Sequence, residues 1–150
     1  MIKSVIALDP GETTGWFFKH YNEDGTFMME GGTVGSCHAA VFELLSRLRP
    51  DVVILETFHL YPGKAKSLSW NSFYPCEVIG VIKLWVQFQR IQGFKVTEVK
   101  QVPSVKKYAG GLQEDWVHFQ KFDLKEPITE HVKDAYLHLK YWERNPPKLK

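Results

Sequence analysis

Two runs of branched and aliphatic residues, Val5-Ile6-Ala7-Leu8 and Val52-Val53-Ile54-Leu55, each end in a single carboxylate, Asp9 and Glu56. Short apolar runs without polar alternation read as strands buried in a sheet. A carboxylate at the last position of such a strand is fixed by rigid backbone while its oxygens stay partly solvated, which is what a hard cation needs. Either acid taken alone could simply end its strand. A third setting bears on that choice: Thr129 is placed as a helix N-cap, Pro127 stands just before it, and Val132, Ala135, Tyr136 and Leu139 recur at helical spacing. His131 and Asp134 lie three residues apart, so they share a face on the flank of the buried stripe and can point at one spot. Four metal-ligand residues in three separate settings read as a divalent-cation nuclease site.

The rest of the chain supplies a scaffold for such a site. Residues 2–8, 14–20 and 26–33 read as an antiparallel meander, with Asn22-Glu23-Asp24-Gly25 providing turn chemistry. A helix is predicted over 38–48, with Ala40, Val41, Leu44, Leu45 and Leu48 on one stripe and Pro50 stopping it. Strand 52–56 follows. A long helix is predicted over 76–92, with Val78, Ile79, Ile82, Trp85 and Val86 as its apolar face and Gly93 as its end. Strand 95–99, a short helix from Pro103-Ser104, a variable stretch around Gly110-Gly111 and the final helix complete the chain. Three antiparallel strands followed by strands alternating with helices predict an α/β fold with a mixed five-stranded sheet flanked by helices.

Composition excludes other classes. A chain of 150 residues is expected to form one domain, residues 1–150, burying roughly two-thirds of its unfolded surface without disulfides. Cys37 and Cys76 are too few for a disulfide framework and lack C-x-x-C spacing, which predicts a reducing cytoplasm, bacterial or that of a virus-infected host. The first residues hold too short an apolar stretch for a signal peptide, and Lys83 interrupts the longest apolar run, so no membrane helix is expected. The formal net charge of +2 does not by itself identify nucleic acid as a partner.

In family order, the chain shows D-P-G at Asp9 with Thr14-Gly15 following, E-x-F at Glu56-Thr57-Phe58, the Val99-Lys100-Gln101 segment and H-x-x-D-A from His131 to Ala135. In these residues, spread over nearly the whole chain, it resembles the RuvC-like Holliday junction resolvases of the small viral or bacterial kind, within the RNase H-like superfamily. Many relatives have Asp where this chain has His131, and others have His. The resemblance implies an RNase H-like fold and a homodimeric endonuclease of DNA recombination and repair. It implies two Mg²⁺ or Mn²⁺ ions per active site, about 3.5–4 Å apart, clamping the scissile phosphate of a four-way junction. Asp9 is then the bridging ligand, Glu56 and Asp134 each serve one ion, and His131 is either a ligand beside Asp134 or a proton handler near the attacking water. An imidazole tilts preference toward Mn²⁺ over Mg²⁺. Lys100 matches a family position near the catalytic centre and is expected to orient the scissile phosphate.

DNA contacts are expected elsewhere as well. Lys64, Lys66, Lys106 and Lys107 are spaced as a phosphate backbone requires, although a solvated lysine face explains Lys64 and Lys66 equally well. The loop from Leu60 to Tyr74 mixes cations with the rings of Tyr61, Trp70 and Phe73, which can stack on splayed bases. Phe58 and Tyr61 follow directly on Glu56 and suit a wedge at the junction crossover. His118 and His138 match no pattern and read as ordinary surface or core residues. On the long helix, Val81, Leu84 and Phe88 broaden the apolar face beyond one sheet contact, which calls for either the final helix or a second copy of the chain against it. Two other classes bear on the same residues. A branched-DNA-binding protein without cleavage would need a lost ligand, and every expected position is filled. An actin-like phosphotransferase fragment would share the Asp9-to-Gly15 turn, but needs a second lobe and a second phosphate loop that 150 residues do not supply, so no nucleotide cofactor is expected.

Overall fold

In a computed structural model that describes residues 1–35, 37–58, 73–108 and 129–146, the strands are β1 (Ser4–Asp9), β2 (Thr14–Tyr21), β3 (Phe27–Val34), β4 (Val52–Glu56) and β5 (Thr97–Gln101). They form one mixed sheet in the order β3-β2-β1-β4-β5. The meander β1-β2-β3 is antiparallel, and β4 runs parallel to both β1 and β5. The helices are α1 (His38–Leu48), α2 (Tyr74–Ile91) and α3 (Glu130–Arg144), with a 3₁₀ turn at Pro103–Tyr108. The expected α/β architecture, with its mixed five-stranded sheet, is the observed one. Tyr61, Lys64, Lys66 and Trp70, His118, and the stretch around Gly110-Gly111 lie outside the described residues.

The two central strands explain the layering. Successive side chains on a strand point to opposite faces, so the uninterrupted apolar runs of β1 and β4 require cover on both. Ile6, Leu8, Val53 and Leu55 pack with Trp16 and Phe18 against α1 and α2. Val5, Ala7, Val52 and Ile54 pack with Phe17 against Val132, Ala135, Tyr136 and Leu139 of α3. Each fully buried Val, Leu or Ile contributes roughly 1.5–3 kcal/mol, and these side chains fill the two cores. By the same parity Asp9, two residues beyond Ala7, and Glu56, two beyond Ile54, turn toward the face that α3 covers.

Glycine sets how closely α3 approaches. Gly15, the partner of Asp9 in the β1–β2 register, lies so near the start of α3 that a Cβ there would collide with the His131 carbonyl. A Cβ at Gly31 would come within 3.0 Å of the Phe17 ring and 3.2 Å of the Val132 side chain. The first turn of α3 is thereby laid directly beside the end of β1. Thr129 caps it as expected, its hydroxyl accepting from the Val132 amide at 3.4 Å.

Two expectations change. Strand β5 runs two residues later than 95–99, because Gly93 with φ +92 ends the turn after α2 and Phe94 still bonds back to Gln89. The final helix also does not cover the broad face of α2, since it packs on the opposite side of the sheet. Val78, Ile82, Trp85 and Val86 are buried as the stripe requires, while Leu84 (58 % exposed), Phe88 (45 %) and Ile91 (83 %) form an outward row continued by Phe94. Among the described residues no helix is long and apolar enough to cross a membrane.

Candidate active site

The carboxyl ends of β1 and β4 are adjacent in the sheet, and α3 crosses above them, so Asp9, Glu56 and Asp134 are drawn to one place from three separated segments. All three remain partly accessible, with side-chain exposures of 16 %, 15 % and 31 %. His131 Nδ1 stands 3.7 Å from Asp9 Oδ2, and its ring is half exposed. The four residues singled out from the sequence thus lie around one mouth of the sheet.

Crowded acids repel. Burial, followed by the charges of Glu56 and then Asp134, pushes the Asp9 carboxyl up to about 6, against the weaker pull of Lys106 and His131. Glu56 goes the other way: burial works to raise it, but the hydrogen bond and charge of His138, together with Lys106, hold it below the usual carboxylate range. Lys106 loses by burial and gains more from Glu56, Asp134 and Asp9, so its ammonium is held more firmly than usual. One carboxyl pushed up beside another held down is a perturbation characteristic of functional sites.

Lys106 was expected to touch the DNA backbone with Lys107. The 3₁₀ turn instead aims it into the acids, with Nζ 3.2 Å from Glu56 Oε2 and 3.5 Å from Asp134 Oδ2. Lys107 is exposed, its ammonium 5.1 Å from the Tyr108 ring. Lys100 does not join the acids. With β5 ending at Gln101, strand parity sends Lys100 to the α2 face, where it lines a depression with Phe58, Cys76, Ile79 and Lys83. Gln101 takes the inward position. Phe58, two residues past Glu56, and Phe73, at the start of α2, are both partly exposed.

The residue that sequence reading passed over is His138. It is fully buried, with Nε2 2.7 Å from Glu56 Oε2 and Nδ1 2.7 Å from Gln101 Oε1. A signal was present: His131, Asp134 and His138 fall at i, i+3 and i+7, one face of a single helix. Lying between Leu137 and Leu139, His138 reads as core until the partner strand is known.

Among the described residues no three His, Cys, Asp or Glu groups stand close enough together to grip an ion. The Lys106 ammonium lies between Glu56 and Asp134, 3.2 Å from one and 3.5 Å from the other, longer than the roughly 2.0–2.6 Å of oxygen bonded to Mg²⁺ or Ca²⁺. In kind the donors fit: three carboxylates and an imidazole, already gathered about a positive charge, suit a hard or borderline divalent cation.

No protein-family model and no curated protein matches the sequence. Solved structures do match. RuvC of Thermus thermophilus aligns with a TM-score of 0.62 at 20% identity, covering 94% of this chain and 95% of RuvC. Fowlpox virus resolvase, solved with substrate Holliday junction DNA, aligns at 0.55 and 20% identity over 96% of this chain and 98% of its own. The yeast mitochondrial Holliday junction resolvase Ydc2 aligns at 0.56 and 12% identity over 93% of this chain and 77% of its own. The fold of this chain, with three acids at the mouth of its mixed sheet, is the RNase H-like fold of the RuvC-like Holliday junction resolvases.

Proposed function

We propose that this protein is a divalent-metal-dependent endodeoxyribonuclease that cuts four-way junctions or closely related branched DNA, nicking paired strands as a homodimer. The observation that carries the reading is the gathering of Asp9, Glu56 and Asp134, from two strand ends and a helix, at a solvent-open point where burial, and after it the charges of the other two acids, pushes Asp9 up to about 6. Three carboxylates clustered about one ammonium cost stability, and a cation-dependent reaction accounts for them. The fold shared with resolvases, two of them solved on Holliday junction DNA, supports branched DNA as the substrate class.

Asp9, Glu56, Asp134 and His131 would hold two Mg²⁺ or Mn²⁺ ions, which when bound supply Lewis acidity to the scissile phosphate and lower the pKa of water there. The remaining work belongs to the chain itself. Strands β1 and β4 fix Asp9 and Glu56 on backbone that cannot drift, and the close seating of α3 over Gly15 fixes His131 and Asp134 against them. His131, half exposed beside Asp9, is positioned to take a proton at the solvent edge of the site. Lys106 neutralises Glu56 and Asp134; once those acids have another cation, its ammonium is free to meet a backbone phosphate. The apolar row on α2 suits a second copy, and a two-fold dimer matches the two-fold symmetry of a four-way junction.

The test offers purified protein labelled four-way junction, flap, Y-fork and linear duplex with Mn²⁺, beside Asp9→Asn. Symmetric, ligatable nicks on the junction, abolished by Asp9→Asn, are expected. Junction binding without cleavage in any divalent cation would contradict the nuclease reading.

A further inference from the structure

Glu56 is held by a buried pair that the cation chemistry does not itself require. The His138 ring is fully buried between the Glu56 carboxylate and the Gln101 side chain, at 2.7 Å from each. Gln101 is itself only 6 % exposed and is fixed in β5, opposite Glu56 in the parallel register. Hydrogen-bond bookkeeping then constrains the ring. A carboxylate only accepts, so Nε2 must donate to Glu56. Gln101 can meet Nδ1 with its carbonyl, which makes the ring an imidazolium, or with its amino group, which leaves a neutral ring protonated on Nε2. Both arrangements give Glu56 a donor, and both need Gln101. His138 and Lys106 meet the same carboxylate oxygen, Oε2, from two different elements.

We infer that His138, anchored by Gln101, is a positioning residue that orients the Glu56 carboxylate for cation binding, so that β4, β5 and α3 are locked together at the point where the ions are held. The inference rests on the nuclease reading given above. Partners behind a ligating group typically govern metal affinity or activity by 10–100-fold. The ring is fully buried, so its effect passes through Glu56.

The experiment compares wild type, His138→Leu, His138→Gln, Gln101→Leu and Asp9→Asn by two measurements. One is Mn²⁺ binding, read from the free-ion electron paramagnetic resonance signal; the other is kcat and KM for junction cleavage at saturating Mn²⁺. His138→Leu keeps volume and removes the donor; it is expected to weaken Mn²⁺ binding about 10–100-fold and to lower kcat while KM for DNA holds. His138→Gln returns an N–H near the place of Nε2 and should restore most of the affinity. Gln101→Leu, which leaves the imidazole without its anchor, should shift affinity the same way by a smaller factor, and it carries the test if His138→Leu does not fold. Wild-type Mn²⁺ affinity in folded His138→Leu or Gln101→Leu, with Asp9→Asn defective, overturns the inference and leaves the nuclease reading standing. Wild-type affinity in Asp9→Asn as well would overturn both.

Discussion

Asp9 has a titration that separates the cost of the site from its use. Its folded-state carboxyl sits at about 6, above the roughly 3.9 of an unfolded chain. A raised carboxyl favours the folded state below the unfolded value, and that contribution is lost as pH rises from about 4 through 6, amounting to roughly 3 kcal/mol when complete. Without divalent cations Asp9→Asn should therefore melt with wild type near pH 4 and progressively above it toward pH 8. Thermal melts in EDTA across that range check this, and a gap that does not grow with pH would contradict it. Legibility in the sequence followed the same lines. Asp9, Glu56 and Asp134 could be read because each sits where a regular element ends or turns a face, so periodicity alone aims it. His138 could not, because its role is decided by Glu56 and Gln101 on two strands distant in sequence. Lys100 was expected near the catalytic centre, but its register opposite Leu55 sends it to the α2 face, and the 3₁₀ turn brings Lys106 to the acids, a pairing that no local pattern announces.

At the level of elements, α3 and β2 are matched through Gly15, where backbone and not a flexible side chain fills the space. Gly15→Ala has to push the first turn of α3 outward, carrying His131 and Asp134 away from Asp9. A loss of stability of roughly 1–3 kcal/mol is expected, with cleavage falling further than the melting temperature implies. Gly35→Ala, whose Cβ would meet nothing within 4 Å, is the control and should change neither property. Equal behaviour of the two variants in denaturant unfolding and cleavage would refute this account of α3. The helices and the meander were legible because stripes, Pro50, Gly93 and the Thr129 cap act locally. The face on which α3 packs was not, since its apolar stripe is equally compatible with either side of the sheet.

For the whole molecule, the outward row Leu84, Phe88 and Ile91 with Phe94 is the surface on which a second copy would settle. Replacing Leu84 and Phe88 with Glu should convert a dimer to a monomer in light scattering, at little cost to folding because both side chains are already exposed. Paired nicking should fall to single nicks. A wild-type protein that is monomeric at high micromolar concentration would remove the dimer from the account.

The central claim, that Asp9, Glu56 and Asp134 form a divalent-ion site now bridged by Lys106, is tested most directly by anomalous diffraction at the manganese edge from crystals soaked in Mn²⁺. The account predicts two peaks about 3.5–4 Å apart among these three carboxylates, with the Lys106 ammonium withdrawn from Glu56 and Asp134. A map with no peak there, and Lys106 still seated between the acids at saturating Mn²⁺, would contradict it.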